Sequence, residues 1–161
     1  MTQPIAGVSP PGLSEATVMI VYPSLGSTGM GCLLGRLFAL SAGFGVVTLG
    51  NLLALASIPV GIPLFFLLIN PFTGRRYRLT NRRVIIERGI QGVPEQWVEL
   101  ERFDSIEVIV QPGQEWYPAG DLIFRKGQIE TFRLLGVKRP ETFRQTILKT
   151  ARGYIGAAAS V

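Results

Sequence analysis

The chain has 161 residues and a net charge of +5, with no histidine and one cysteine, Cys32. The absence of histidine removes the commonest general base and the commonest metal ligand, and a lone cysteine cannot form an intramolecular disulfide. No nucleophile–base pair of the usual kinds can be assembled from what remains. The composition therefore argues against an enzyme, and it predicts neither a bound metal nor a cofactor.

The charges are distributed very unevenly along the chain. Residues 1–74 contain two charged side chains, Glu15 and Arg36, whereas residues 75–161 contain all the others. Because Glu15 and Arg36 cancel, the whole positive surplus belongs to the second half. This asymmetry predicts that the two halves lie in different solvents.

The chain begins with a segment, residues 1–14, that is rich in Pro, Gly and Ser and is predicted to be disordered. Residues 15–24 follow as a first strand, since Ala16 to Tyr22 are mostly β-branched or apolar and Pro23-Ser24 ends the run.

An apolar stretch from Gly31 to Ile69 contains a single charge, Arg36. One membrane crossing requires about 20 apolar residues, so this stretch predicts a transmembrane hairpin over residues 30–69, with helices at about 30–49 and 52–69. The turn is expected at Gly50-Asn51. A hairpin buried inside a soluble domain is the alternative, but the remaining chain is small for covering so much apolar surface.

Small residues recur every fourth position along the first predicted helix, at Gly31, Gly35, Ala39 and Gly43. Such spacing allows membrane helices to approach closely, and Ala54, Ser57 and Gly61 could form the matching strip on the second helix. Pro59 and Pro63 predict a kink there. Arg36 is interpreted as snorkelling to the near interface, with a functional intramembrane charge as the alternative.

Five arginines follow the second predicted helix: Arg75, Arg76, Arg78, Arg82 and Arg83. The positive-inside rule places this end in the cytoplasm, and a hairpin returns both termini to one side. The sequence therefore predicts a multi-pass protein of the cell membrane, integral to the bilayer, with both termini cytoplasmic.

Residues 75–153 are predicted to complete the domain, followed by a tail at 154–161. Short strand signals, spaced as in an antiparallel sandwich or barrel, occur at 76–79, 83–90, 96–100, 105–110, 120–124 and 130–135. Pro140-Glu141 suits the first turn of a helix, and Phe143, Ile147 and Ala151 then recur on one face. We expect this helix to cap one open end of the barrel.

Several segments in this order resemble one known family. They are the strand ending in Pro-Ser, the apolar hairpin, Tyr77-Arg78-Leu79-Thr80-Asn81-Arg82-Arg83-Val84-Ile85, Gly120-Asp121-Leu122-Ile123-Phe124 and Phe132 to Val137. The chain resembles the bacterial pleckstrin-homology-like (bPH2) domain proteins of the YdbS- and YdbT-like kind. The resemblance implies an α+β fold: a seven-stranded, antiparallel PH-like β-barrel with a C-terminal helix, and the two-helix transmembrane hairpin inserted after the first strand. It implies no enzyme activity and no particular ligand.

The arginine group permits two interpretations. It could bind anionic lipid headgroups, since each such charge contributes roughly 1 kcal/mol near an anionic leaflet. Alternatively it is a topology signal on a solvated strand face, partly paired with Glu87, Glu99 or Glu101. The Trp116-Tyr117 loop likewise either dips into the membrane interface or caps the domain core.

The sequence as a whole predicts a membrane-anchored, non-catalytic binding or assembly module that engages a partner protein or oligomerises. The alternatives are binding of anionic phospholipid headgroups and an accessory structural subunit of a membrane complex. Nucleic acid is not expected as a partner, because the basic residues lie beside the apolar stretch without interleaved stacking aromatics.

Overall fold

The computed structural model describes residues 15–40, 43–44, 47–69, 74–89 and 91–158, so the predicted disorder of residues 1–14 lies outside the described part. The first half of the chain contains β1 (Thr17–Val21), a 3-10 turn (Leu25–Ser27), α1 (Gly29–Phe38), β2 (Gly43–Phe44), β3 (Val47–Thr48), α2 (Leu49–Ala56) and α3 (Ile58–Ile69). The second half contains β4 (Arg75–Thr80), β5 (Arg83–Arg88), β6 (Val93–Glu99), β7 (Ser105–Ile109), β8 (Ala119–Lys126), β9 (Ile129–Lys138) and α4 (Pro140–Ala158).

The main strands form two antiparallel sheets, one with the order β1-β4-β5-β6 and one with the order β7-β8-β9. Alternation along β5 shows why one face turns inward: Val84 and Ile86 join the core, whereas Arg83, Ile85 and Glu87 occupy the opposite face. The inward residues of both sheets form one apolar core that includes Leu122 and Phe124.

Helix α4 covers this core, as the spacing of its apolar residues predicts. Phe143, Ile147 and Ala151 are all buried in the core cluster, and α4 contacts β7 and β8. Pro140 and Glu141 occupy the first turn of α4. The missing N–H of Pro140 costs no helical hydrogen bond there, and the negative charge of Glu141 is favoured by the helix dipole. The antiparallel sheets and the C-terminal helix therefore agree with the sequence-based expectation.

The predicted closed barrel is wrong, because the two sheets remain separate in the described residues. They are linked by a single backbone bridge, Pro23 to Val137, with Ser24 N donating to Gly136 O at 2.8 Å. Proline has no N–H to extend a ladder, and the chain turns into the 3-10 turn at Leu25 immediately afterwards. The contact between the first strand and β9 therefore ends after one bridge.

The predicted transmembrane hairpin is also wrong. Its residues form three short helices with the two-stranded β2–β3 ribbon between the first two, and none of the helices in the described part is long and apolar enough to cross a membrane. The assignments that depended on the hairpin, a multi-pass membrane protein with both termini in the cytoplasm, are corrected with it.

Local sequence explains where the long helices break. Helix α1 ends at Phe38 with Ala39 as its C-cap, and Gly43 has a φ of 141°, so the predicted helix does not continue to residue 49. Ser57 is the C-cap of α2. In a continuous helix Pro59 would lack the N–H that donates to the Leu55 carbonyl, whereas in the first turn of α3 that N–H is not needed, so α3 starts as a separate helix. Gly50, predicted as the turn, lies instead in the first turn of α2, where Thr48 caps the helix by accepting from Asn51 N at 3.2 Å.

Candidate functional site

Residues 29–69, which we call the helical insert, lie between β1 and β4, two neighbouring strands of the same sheet. Among its described side chains, thirteen large apolar ones are exposed: Met30, Leu33, Leu37, Leu40, Val47, Leu49, Leu52, Leu55, Ile58, Val60, Ile62, Phe65 and Phe66. Leu55 and Phe66 have exposed fractions of 65% and 66%. Large exposed apolar patches are typical of surfaces that contact proteins or membranes.

The charge of the insert is confined to one side chain that is held against the sheet domain. Arg36 Nε donates to the carbonyl oxygen of Pro112 at 3.1 Å. The exposed face of the insert therefore carries apolar groups with no other charged side chain among them.

The small residues predicted as a packing face meet different surroundings. A Cβ on Gly31 would collide with the carbonyl of Leu25, and one on Gly35 would collide with the carbonyl of Gly113. Both glycines therefore allow close approach to backbone of the same chain. Ala39 is the C-cap of α1 and is exposed, and Gly43 belongs to the ribbon.

The predicted matching strip borders an open groove between the helices of the insert and the loop 112–118. The groove has a volume of about 390 Å³. Its walls are formed by Leu25, Leu34, Phe38, Ala54, Ser57, Ile58, Gly61, Ile62, Phe65, Trp116 and Tyr117. Phe38 and Trp116 meet edge to face with ring centroids 5.5 Å apart. Trp116, predicted to enter a membrane interface or to cap the core, therefore forms a groove wall.

A buried polar cluster fixes the loop that forms one wall of the groove. Asp121 Oδ1 accepts hydrogen bonds from Gly136 N and from Gln114 Nε2, each at 2.8 Å, and Gln114 Nε2 also donates to Gly26 O at 2.9 Å. The sequence singled out no role for Asp121, which was named within the segment Gly120 to Phe124 of the family resemblance. Its position in the apolar run Gly120 to Phe124 was the available signal, because a charge inside a buried strand requires partners.

Three members of the arginine group, Arg76, Arg78 and Arg83, lie on the outer face of the four-stranded sheet. Glu87 has an exposed fraction of 1%; Arg76 Nε donates to its Oε2 at 2.6 Å, and Arg78 Nη2 lies 2.6 Å from its Oε1. One buried carboxylate therefore neutralises part of the charge of two partly exposed guanidinium groups. Glu87 is one of the three carboxylates that sequence analysis named as possible partners.

The remaining arginines of the group also contact groups of the same chain. Arg75 Nε lies 2.9 Å from Glu95 Oε2, and about half of the Arg75 side chain is exposed. Arg83 forms hydrogen bonds of 2.8 and 2.7 Å with Glu15 and lies over the Trp97 ring. This pairing lowers the pKa of Glu15, chiefly through the Arg83 hydrogen bonds. The structure thus brings the arginines close together, with carboxylates between them.

Arg82 lies in the turn between β4 and β5, where its carbonyl accepts from Leu100 N at 3.0 Å. Glu99, another predicted partner, pairs instead with Arg102 at 3.3 Å. Within the ranges that the structure describes, no three Asp, Glu, Cys or His side chains come together in a way that could hold a metal ion.

Two antiparallel sheets of four and three strands, packed on one core and covered by a C-terminal helix, define a PH-like sandwich. The family model of the bacterial PH domain matches residues 33–151. The chain therefore belongs to the bacterial PH domain family, which confirms the resemblance seen in the sequence. Domains of this kind are generally non-catalytic and suggest a binding or assembly module. No curated protein and no solved structure matches the chain.

Proposed function

We propose that this protein is a non-catalytic assembly module that self-associates through the exposed apolar face of the helical insert. The observation that carries the proposal is the set of thirteen exposed apolar side chains on the insert. The PH-like sandwich serves as the rigid frame that presents this face.

The size of the apolar face supports a stable protein contact. Side chains of this kind present roughly 150–200 Å² each, and at about half exposure thirteen of them amount to on the order of 1,000 Å². A specific interface buries about 800 Å² per partner, and the largest apolar patch of a typical monomer is about 300–600 Å². The exposed apolar side chains of the insert together therefore offer an area of the order that an interface requires.

The distribution of charge supports a second copy of the chain as the partner. In a two-fold symmetric contact the same patch lies on both sides, so any net charge on it is opposed by a like charge. The net charge of +5 belongs to residues 75–161, and contacts through that half bring positive surfaces together. The insert contains a single charge, Arg36, which bonds the Pro112 carbonyl, so contacts through the insert bring fewer like charges together.

The arginine group gives less support to an anionic-lipid role. Arg75, Arg76, Arg78 and Arg83 each have a carboxylate partner within the chain, so a headgroup phosphate would have to displace or share these partners. The geometry is closer to the interpretation of a paired, partly solvated strand face.

The test compares two double variants of the full chain. Leu52→Glu/Leu55→Glu places two negative charges on the exposed face of α2. Val110→Glu/Ile129→Glu makes the same change at exposed apolar positions outside the insert. Because both variants lose two apolar side chains and gain two negative charges, net charge and composition are matched.

Sedimentation velocity over a range of concentrations measures the result. We expect wild type and the Val110/Ile129 variant to self-associate, and the Leu52/Leu55 variant to sediment as a monomer or to weaken association at least 100-fold. A monomeric wild type would overturn the proposal, as would equal association of the two variants. Flotation of wild type with neutral or anionic vesicles in place of self-association would also overturn it.

A further inference from the structure

We infer that the groove beside Gly61 is the seat of the contact, and that its occupant is α3 of a second copy of the chain. This inference rests on the proposed self-association and specifies which part of the insert makes it. The groove is open, and its walls come from α1, from α2 and α3, and from the loop that carries Trp116.

The lining of the groove leaves space for another molecule at Gly61. Apart from its chain neighbours and the backbone of its own helix, a Cβ placed on Gly61 would meet no atom of the described residues within 4 Å. This differs from Gly31 and Gly35, where backbone of the same chain already occupies the corresponding space. Gly61 therefore exposes helix backbone to the groove without serving the internal packing of the described residues.

The chemistry of the walls selects an apolar occupant. Ser57, which lines the groove, already donates its hydroxyl to Ala54 O at 2.8 Å. Most of the other lining side chains are aliphatic or aromatic, and none is charged. A charged headgroup or an acidic peptide would lose its hydration there without gaining a charged partner.

Helix α3 offers the apolar surface that such a groove requires. Its 12 residues span about 18 Å, and its described side chains include the exposed Val60, Ile62 and Phe66. Recognition of an apolar helix in an apolar groove is a recurring mode of protein association. Since α3 also forms part of the groove wall, two copies related by a two-fold axis can serve each other as wall and occupant.

The test compares two helical glycines, Gly61 and Gly153, which both have open space around an added Cβ. Gly61→Leu fills the groove, and Gly153→Leu makes the same change in α4, where a Cβ also has no atom within 4 Å. Leucine favours a helix more than glycine does, so both variants should fold with an unchanged or higher melting temperature. Gly61→Ala provides a smaller step at the same position.

We expect Gly61→Leu to weaken self-association at least tenfold in sedimentation velocity, Gly61→Ala to weaken it less, and Gly153→Leu to behave as wild type. If Gly61→Leu associates as well as wild type or more tightly, while Leu52→Glu/Leu55→Glu still disrupts association, the groove inference fails and the proposed function stands. A monomeric wild type removes both. If Gly61→Leu fails to fold, the Gly61→Ala result decides.

Discussion

Removal of the buried carboxylate Glu87 should destabilise the domain strongly. In Glu87→Ala, the guanidinium groups of Arg76 and Arg78 lose their shared partner while only 24% and 34% of these side chains are exposed. Breaking a buried ion pair from one side costs about 3–5 kcal/mol, and the partial exposure of both arginines places the expected loss near the lower limit, at about 3 kcal/mol. With a urea m-value of about 2 kcal/mol/M, the midpoint should fall by about 1.5 M.

Urea unfolding in the Leu52→Glu/Leu55→Glu background measures this change without a contribution from self-association. Glu99→Ala is the control, because the Glu99–Arg102 pair is exposed and should contribute at most a few tenths of a kcal/mol. Replacing Arg76, Arg78 and Glu87 together by Met should recover much of the loss, since no uncompensated charge remains. A Glu87→Ala variant within 0.5 kcal/mol of its parent, on the scale of ordinary surface substitutions, would refute the reasoning.

Two further predictions concern packing and pH. Gly35→Ala should lower the free energy of unfolding in urea by about 1–3 kcal/mol, because the new methyl group meets the Gly113 carbonyl. Gly29→Ala is the control, since open space surrounds that position and its stability should not fall. Equal urea midpoints for the two variants would contradict this prediction. Burial raises the pKa of Tyr77 to about 12, so the folded state favours the neutral phenol. The contribution of Tyr77 to stability should be fully present below pH 10 and fall by roughly 2–3 kcal/mol as the pH rises to about 12, and Tyr77→Phe should remove this part of the fall; a fall in Tyr77→Phe as large as in wild type would argue against it.

The sheet domain could be predicted from the sequence because its signals are local. The alternation in β5 and the helical spacing of Phe143, Ile147 and Ala151 are set by the periods of the strand and the helix. The separation of the two sheets could not be read in this way. The separation depends on how far two distant segments, at Pro23 and Val137, pair with each other, and they form an isolated bridge rather than a ladder. No local sequence pattern predicts the extent of this pairing.

The insert was predicted incorrectly because hydropathy was given more weight than helix breakers. A count of apolar residues treats Gly43 and Pro59 as members of long helices, although backbone sterics favour a break at both. The spacing of Gly31 and Gly35 predicted close approach between two membrane helices, whereas in the structure both glycines lie against other segments of the chain. What they approach, the segments near Leu25 and Gly113, is a property of the tertiary structure.

Part of the candidate site was visible in the sequence. The alternation of Arg76 and Arg78 placed both on the outer face of β4, and Glu87 was among the named partners. The burial of Glu87 was not visible, because it depends on neighbouring strands that cover it. Asp121 was missed for the same reason, since its partners Gln114 and Gly136 come from two other segments.

The position of the insert between β1 and β4 has a consequence for the order of folding. Strands β4 to β9 are joined by short connections, so their hairpins can form from contacts that are close in sequence. Strand β1 can pair with β4 only after the whole segment between Val21 and Arg75 has been closed into a loop. Closure entropy grows slowly with loop length, by about 0.6 kcal/mol per doubling, so an insert of this size affects the rate of docking of the first strand more than the equilibrium.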